Sequence, residues 1–268
     1  MRYKPMDKCA YLVNSTPKFY GLLPLHFTLV KRYAPWLDMP MFLATEQPDN
    51  PICQQVKEMG VELIPLKESE AGFLDSRAVA LQQLSLTGRF TMVLPMQEDF
   101  LLEREPDPNG IMEAIGLLRE SCASVRLMPC PGPGGSTLKN FPDWALITPV
   151  TDTYGFTFQA TIWRLDACMK WYRALCNKLE DEWPRATTPP DQRRHIEIRA
   201  NFAENTEGQR FFWKQGGVHV GWKRAGPWSN AVYMSPWPYR PTAVVQGRLE
   251  PWAAELGQRE GVPIYLST

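Results

Sequence analysis

Two adjacent acidic residues stand between two apolar runs in the first half of the chain. Residues 94–102 read LPMQEDFLL, and the acids are Glu98 and Asp99. A buried ionised carboxylate is costly unless another group pairs with it. The two acids therefore either lie in water, in an ordinary loop at the end of a strand, or bind a cation. Mg²⁺ and Mn²⁺ suit it, because they take one or two carboxylates and fill their other positions with water and substrate phosphates.

Polar residues follow two other apolar runs in the same way. CAYLV (9–13) and MFLAT (41–45) have the length and composition of buried strands, as does FTMVLPM (90–96), which precedes the acidic pair. In an open parallel sheet, ligands bind beyond the carboxyl ends of the strands. The polar residues at these three strand ends are therefore candidates for one nucleotide site: Asn14, Ser15, Thr16, Thr45, Glu46, Gln97, Glu98 and Asp99.

The elements that would position these residues alternate between strand and helix. The pattern predicts helices over 19–33, 51–59, 76–86, 107–121 and 166–179, and further strands over 61–66, 124–128, 145–150 and 156–164. This alternation favours a single α/β domain of 268 residues, with a mostly parallel central sheet flanked by helices. We expect a helix over 193–205 and an otherwise loop-rich, aromatic C-terminal part.

Composition excludes several classes of protein. Basic and acidic residues balance at 29 each, so the chain lacks the basic excess that is typical of nucleic-acid-binding proteins. It has no run of 18 or more apolar residues, so no transmembrane segment is expected. The six cysteines are dispersed without a CxxC pair, which disfavours zinc and favours a reducing compartment, which we take to be the cytoplasm.

Two common nucleotide-binding motifs are absent from the sequence. No GxGxxG follows the first apolar run, and no GxxxxGK[ST] occurs anywhere. Their absence disfavours a dinucleotide-binding Rossmann enzyme and a P-loop NTPase.

Five segments together resemble a glycosyltransferase of the GT-A fold. They are AYLVNSTPKFYGLL, LATE, GFLDSR, VLPMQEDFLL and FTFQATIWRLDAC, and the resemblance of pattern covers roughly residues 8–180. In that fold a short acidic motif, DxD or a variant, ends a central strand and binds the divalent cation that holds the diphosphate of a sugar nucleotide. QED is the variant here; by position, Asp99 matches the motif's last acid and Glu98 the residue before it.

The resemblance implies a function and a division of the chain. It implies transfer of a sugar from a nucleotide diphosphate sugar to a hydroxyl acceptor, which we expect to be a glycan, with Mn²⁺ or Mg²⁺ held at Asp99. About residues 1–130 would bind the nucleotide sugar, and about 131–268 the acceptor. The residues that would contact the donor in the first half are Asn14, Ser15, Thr16, Glu46, Ser76, Arg77, Gln97 and Glu98.

Two further segments offer side chains to the donor. In DSR, Ser76 and Arg77 open a predicted helix, and the planar guanidinium suits a phosphate or an acid of the motif. A helix-surface arginine is the alternative. On an alternating strand over 156–164, Gln159 shares a face with Trp163 and would line a sugar site. A solvated face, with Trp163 in the core, is the alternative there.

An inverting transfer needs a base that deprotonates the acceptor hydroxyl. The resemblance implies an acid after the segment 156–179, and the candidates are Glu197, then Glu204, then Asp152, although Asp152 precedes that segment. Glu197 is favoured because isoleucines flank it and burial raises the pKa of a carboxyl group. A surface glutamate paired with a neighbouring arginine is the alternative.

Enzymes of this fold often recruit a C-terminal histidine to the metal. His219, in GGVHVGW, is the candidate for that role. A lone histidine is more often structural, which is the alternative interpretation.

Two other functions remain open from the sequence. A nucleotidyltransferase uses a similar sheet and the same metal, but it should show a Gly-rich basic loop after the first strand, and NSTPKF (14–19) lacks one. A non-catalytic carbohydrate-binding protein would use the aromatic tail and would need no acidic pair. We expect most of the tail aromatics to cover the core, with one or two reaching the acceptor: Trp228, Tyr233, Trp237 and Tyr239.

Overall fold

The computed structural model describes most of the chain. The described residues are 8–67, 72–129, 133–148, 154–189, 192–193, 206–223, 235–240 and 242–266. The three candidate bases, Asp152, Glu197 and Glu204, lie outside these ranges, as does nearly all of the helix predicted over 193–205.

A nine-stranded mixed sheet forms the centre of the molecule. The strands of the described residues are β1 (Cys9–Asn14), β2 (Met41–Thr45), β3 (Glu62–Pro65), β4 (Met92–Gln97), β5 (Leu101–Leu102), β6 (Cys122–Arg126), β7 (Thr137–Leu138), β8 (Phe141–Leu146), β9 (Thr161–Arg164), β10 (Val218–Trp222), β11 (Tyr239–Arg240), β12 (Val244–Val245) and β13 (Arg248–Leu249). The order in the large sheet is β3-β2-β1-β4-β9-β6-β10-β8-β7, and β11 with β5 and β12 with β13 form two small sheets.

The strands that carry the candidate site are parallel neighbours. β1 pairs in parallel with β2 and β4, and β2 pairs in parallel with β3. Along β1, Tyr11 and Val13 pack into one hydrophobic core, and Ala10 and Leu12 into the core on the other face. Because both faces are covered, β1 is a continuous apolar run instead of an alternating one. The predicted fold class, an α/β fold with mostly parallel central strands flanked by helices, is confirmed.

Seven α-helices flank the sheet in the described residues. They are α1 (Leu23–Tyr33), α2 (Pro51–Glu58), α3 (Phe73–Leu86), α4 (Pro108–Glu120), α5 (Leu165–Glu182), α6 (Thr206–Lys214) and α7 (Pro251–Glu260). The predicted cap of α4 is present: Asp107 accepts a hydrogen bond from the N–H of Asn109 at 3.1 Å, and proline opens the helix. None of these helices is long and apolar enough to cross a membrane.

Two strands differ from the sequence prediction. The strand predicted over 156–164 begins only at Thr161. Side chains bond the backbone before it: Gln209 Oε1 accepts from the N–H of Phe156 at 3.1 Å, and Thr157 Oγ1 from that of Gln159 at 2.9 Å. The strand predicted over 145–150 is displaced to Phe141–Leu146, where β7 and β10 pair with it.

The C-terminal part returns to the sheet and to the acidic pair. β10 lies between β6 and β8, and β11 pairs with β5 directly after the acids. The sequence analysis did not predict α7, which begins at a proline and ends at Gly261 with φ 69°. Trp237 and Tyr239 are fully buried and cover the core, whereas Trp228 and Tyr233 lie outside the described residues.

Candidate functional site

The carboxyl ends of β1, β2 and β4 lie side by side at one edge of the sheet. Asn14, the last residue of β1, is in register with Ala44 of β2 and with Gln97 of β4. Because neighbouring strands are about 4.8 Å apart, the polar residues that follow them are brought together. We call this group the strand-end cluster; its members are Asn14, Ser15, Glu46, Gln97, Glu98 and Asp99.

The acidic pair occupies a tight turn in which the N–H of Phe100 bonds the carbonyl of Gln97 at 3.1 Å. Burial, followed by repulsion from Asp99, raises the pKa of Glu98 to about 8, and the nearby charge of Arg77 lowers it only in part. Burial also raises the pKa of Asp99 to about 7, against the lowering effect of backbone N–H groups, including that of Val244. The pair therefore retains a proton near neutral pH unless a cation replaces it.

Three buried polar atoms of the strand-end cluster have no hydrogen-bond partner. They are Asn14 Nδ2, Ser15 Oγ and Glu46 Oε2. Ser15 Oγ lies near enough to Glu98 to lower its pKa, without forming a well-aligned hydrogen bond. Since nearly all buried polar groups in proteins are paired, a polar ligand at this edge of the sheet would supply the partners that these atoms lack.

Arg77 lies beside this edge on α3 and is buried. Its guanidinium carbon is 3.9 Å from the centroid of the Phe73 ring, and its Nη1 donates to the carbonyl of Phe73 at 2.6 Å. A small cavity of about 20 Å³ lies between Arg77, Gln97 and Gln159. The structure thus places all three predicted residues around one space and excludes an exposed helix-surface arginine.

Thr16 and Ser76 are held by local hydrogen bonds. The carbonyl of Thr16 accepts from the N–H of Phe19 at 2.9 Å, at the start of the 3₁₀ helix Pro17–Leu22. Ser76 Oγ donates to the carbonyl of Phe73 at 3.4 Å, within α3 itself. The contacts of these two residues are local to their own elements.

Two residues outside the predicted donor and metal set touch the site. Tyr239 donates from its hydroxyl to Gln159 Oε1, accepts from the N–H of Ala160 at 3.0 Å and stacks on Phe100 with 4.9 Å between the ring centroids. His26, on α1, contacts the carbonyl of Glu98. Burial lowers the pKa of His26 to about 4, so its ring is neutral. No sequence signal pairs residues this distant along the chain.

His219 is not brought to the acidic pair. Across the sheet, His219 is in register with Ser124 of β6, Ser124 with Trp163 of β9, and Trp163 with Val93 of β4. Val93 lies six residues before Asp99, and β9 and β6 lie between β10 and β4. β4 continues for four residues from Val93 to Gln97 before the turn, so at about 3.3 Å per residue His219 and the acidic turn lie about 13 Å apart along the strand alone. Its ring packs instead against Trp163, Phe212 and Trp213. His219 therefore has the structural role that was the alternative interpretation of the sequence.

The two acids fit one kind of metal ion. In the described part of the chain, no group of three or more His, Cys, Asp or Glu side chains could hold a metal. A cation at Glu98 and Asp99 would therefore complete its shell with water and substrate phosphate, which is how Mg²⁺ is usually bound. Carboxylate oxygens suit such a hard cation, and the proton that burial holds on the pair would be released when the cation binds.

Comparison with solved structures supports the fold. The chain is similar to CMP:2-keto-3-deoxy-manno-octonic acid synthetase complexed with CTP, with 12% identity and a TM-score of 0.52, over 94% of this chain and 99% of that chain. At this identity the likeness supports the fold alone, a GT-A-like α/β fold.

A weaker structural likeness is to S. aureus TarS. Its fragment 1–349 is 14% identical with a TM-score of 0.47, and the same fragment in complex with UDP is 13% identical with a TM-score of 0.43. These matches cover 82% and 85% of this chain, but only 59% and 64% of the TarS fragment. No family model and no curated protein matches the sequence.

Proposed function

We propose that this chain is a glycosyltransferase that moves a sugar from a nucleotide diphosphate sugar to a hydroxyl acceptor, with a glycan as the expected acceptor. The observation that carries the proposal is the strand-end cluster. It combines two carboxyl groups of raised pKa with the unpaired Asn14 Nδ2 and Ser15 Oγ at the carboxyl edge of parallel strands. A cation and a polar ligand together would satisfy all of these groups.

Each candidate residue of the strand-end cluster and its surroundings has a role in this proposal. Asn14, Ser15, Thr16 and Glu46 bind the nucleoside, while Ser76, Arg77 and Gln97 face the diphosphate side. Asp99 and Glu98 hold Mn²⁺ or Mg²⁺, which when bound neutralises charge on the leaving diphosphate. Gln159, oriented by Tyr239, faces the sugar.

The base is proposed to come from the second half of the chain. Glu98 and Asp99 would lie on the diphosphate side of the sugar, whereas a base acts from the acceptor side. Glu197 is the first candidate, and Glu204 and Asp152 follow; all three lie outside the described residues.

A nucleotidyltransferase is the second candidate. The likeness to the CTP-bound synthetase favours it, because that likeness extends over nearly all of both chains. The loop after β1 argues against it, since residues 14–19 contain no glycine and a single lysine. Two incubations with Mn²⁺ separate the two functions: pyrophosphate release from a nucleoside triphosphate with a sugar or a sugar 1-phosphate identifies the nucleotidyltransferase, and nucleoside diphosphate release from a nucleotide sugar with a hydroxyl acceptor identifies the glycosyltransferase.

The first test is a thermal-shift screen with Asp99→Asn. We expect nucleoside diphosphates to raise Tm only with Mn²⁺, because a ligand that binds the native state alone stabilises it. Asp99→Asn should abolish the Mn²⁺-dependent part of the rise in Tm. The fold should remain intact, because burial already raises the pKa of this carboxyl group. Asp181→Asn, an exposed position on α5, is the matched control. An unchanged nucleotide response in Asp99→Asn would remove the metal role.

A further inference from the structure

His26 bridges the first strand and the acidic turn. It lies on α1 with 1% of its surface exposed. Its Nδ1 is 3.1 Å from the carbonyl oxygen of Glu98, and its Nε2 is 2.7 Å from the hydroxyl oxygen of Tyr11. Neither contact follows from helix formation, because Tyr11 belongs to β1 and Glu98 to the turn after β4.

The direction of both hydrogen bonds is fixed by the chemistry of the partners. A carbonyl oxygen only accepts, so Nδ1 must carry the proton and donate to Glu98. In a neutral ring, Nε2 is then an acceptor, and the Tyr11 hydroxyl donates to it. The ring is buried, and neither of its two hydrogen-bond partners is a carboxylate, so burial favours the neutral form of the ring. The contacts therefore select the Nδ1–H tautomer.

The three carbonyls of the QED turn are each bonded by a different donor. The N–H of Phe100 bonds the carbonyl of Gln97 at 3.1 Å, and the N–H of Ala243 bonds that of Asp99 at 2.9 Å. The carbonyl between them, that of Glu98, is bonded by His26. Among these three donors, His26 is the one side chain, so it is the one that substitution can remove without changing the backbone.

We propose that His26, oriented by Tyr11, is a positioning residue that sets the direction of the two metal-binding carboxylates. The inference rests on the proposed function. The carbonyl of Glu98 and the N–H of Asp99 belong to one rigid peptide plane. The backbone N–H groups of Asp99 and Val244 lie close enough to the Asp99 carboxylate to lower its pKa, so fixing the carbonyl of Glu98 also fixes one of the groups that face this carboxylate. Partners of this kind, which orient a metal ligand without touching the metal, typically change metal affinity 10–100-fold when they are removed.

The first test is the tautomer of His26, read by ¹⁵N NMR of the full chain. The sequence contains three histidines, so assignment by single substitution is practical. We expect the Nδ1–H form, whereas free imidazole side chains in water favour Nε2–H. An Nε2–H tautomer at His26 would overturn the proposal, because its Nδ1 would then face the carbonyl of Glu98 without a proton.

The second test compares two amide substitutions at this position. In His26→Asn the amide nitrogen reaches the place of Nδ1 and keeps the donor to Glu98, whereas in His26→Gln it reaches the place of Nε2 and serves only Tyr11. Affinity for Mn²⁺ alone, measured by EPR of free Mn²⁺, should fall about 10- to 100-fold in His26→Gln and stay near the wild-type value in His26→Asn. Equal affinities in the two variants would overturn the proposal.

A further variant and an independent outcome keep the test decisive. Tyr11→Phe removes only the hydroxyl that orients the ring and is expected to keep the Nδ1–H tautomer, which the carbonyl of Glu98 requires, with a smaller loss of Mn²⁺ affinity than in His26→Gln. Should the histidine variants not fold, this variant carries the comparison. Wild-type protein that binds no Mn²⁺ while His26 is in the Nδ1–H form would refute the proposed metal role and leave the hydrogen bond to Glu98 established.

Discussion

At the scale of single residues, the strand-end cluster is costly to the fold when no ligand is bound. Asn14 and Ser15 are nearly fully buried, and each leaves a polar side-chain atom without a partner. A buried unsatisfied polar group costs about 1–3 kcal/mol. Burial raises the pKa of both acids, so ionising the pair without a bound cation is also unfavourable. A ligand that supplies the missing partners offsets these costs.

The Asn14→Ala substitution is expected to separate ligand binding from stability. The free energy of unfolding without ligand should change little, because loss of the unpaired amide offsets the lost packing. The Tm rise that a nucleoside diphosphate and Mn²⁺ cause should shrink. Asn50→Ala is the control: it removes the cap of α2, should cost about 1 kcal/mol, and should keep the full ligand response. A full ligand response in Asn14→Ala would contradict the donor role.

At the scale of elements, register decides which residues share an edge of the sheet. β10 is parallel to β6, and His219 stands near its start, at the edge away from the acidic pair. Ser124 Oγ lies 2.7 Å from His219 Nδ1, while Nε2 is buried without a partner. His219 and three aromatic neighbours, Trp163, Phe212 and Trp213, form a cluster that we call the aromatic cluster. This cluster stabilises the joint between β9, β10 and α6.

The aromatic cluster predicts a loss of stability in acid. Burial lowers the pKa of His219 to about 4 from an ordinary value of 6.5. Between these two values the unfolded chain binds a proton that the folded chain does not, so the free energy of unfolding falls as pH falls through the window. His26 contributes in the same direction over the same window.

His219→Asn tests this pH dependence by keeping a polar group beside Ser124 and removing the titration. The variant should be less stable at pH 7, because it leaves space in the cluster. Its deficit relative to the wild type should shrink by about 2 kcal/mol between pH 7 and pH 4.5. Urea midpoints over this range measure the effect. If the free energy of unfolding varied with pH in the same way for both proteins, His219 would bind its proton as readily in the folded chain as in the unfolded chain, and the prediction would be wrong.

At the scale of the whole molecule, the C-terminal part completes a site that the first half begins. β11 pairs with β5, the N–H of Ala243 bonds the carbonyl of Asp99, and Tyr239 orients Gln159. The donor half and the acceptor half of the proposed enzyme thus meet at the acidic turn. A base supplied by the second half would approach the sugar from the face opposite the diphosphate.

Glu197→Gln is the test of that base. It keeps the shape of the side chain and removes the carboxylate, so turnover should fall about 10²–10⁴-fold, the usual range for general acid–base catalysis. The Mn²⁺-dependent nucleotide response should persist, because that site belongs to the first half. Steady-state rates with the acceptor, together with thermal shifts, measure the two effects. Near-normal turnover would move the assignment to Glu204 or Asp152, or to a retaining reaction.

The sequence by itself determined most elements of the first half and the place of the acidic pair. Apolar runs and capping residues are local signals, so the strands before Asn14 and Glu46 and the helix opened by Asp107 and Pro108 follow from neighbouring residues. The convergence of polar residues after β1, β2 and β4 follows too, since parallel strands end at one edge.

Only the tertiary structure decided which distant residues meet. His26 reaches the carbonyl of Glu98 across 72 residues, and Tyr239 reaches Gln159 across 80. His219, a metal candidate through the resemblance to GT-A enzymes, was placed at the other edge by the register of β10 with β6. Burial raised the pKa of Glu98, and burial depends on what packs over the turn. Such contacts are set by the packing of whole elements, and local periodicity carries no information about them.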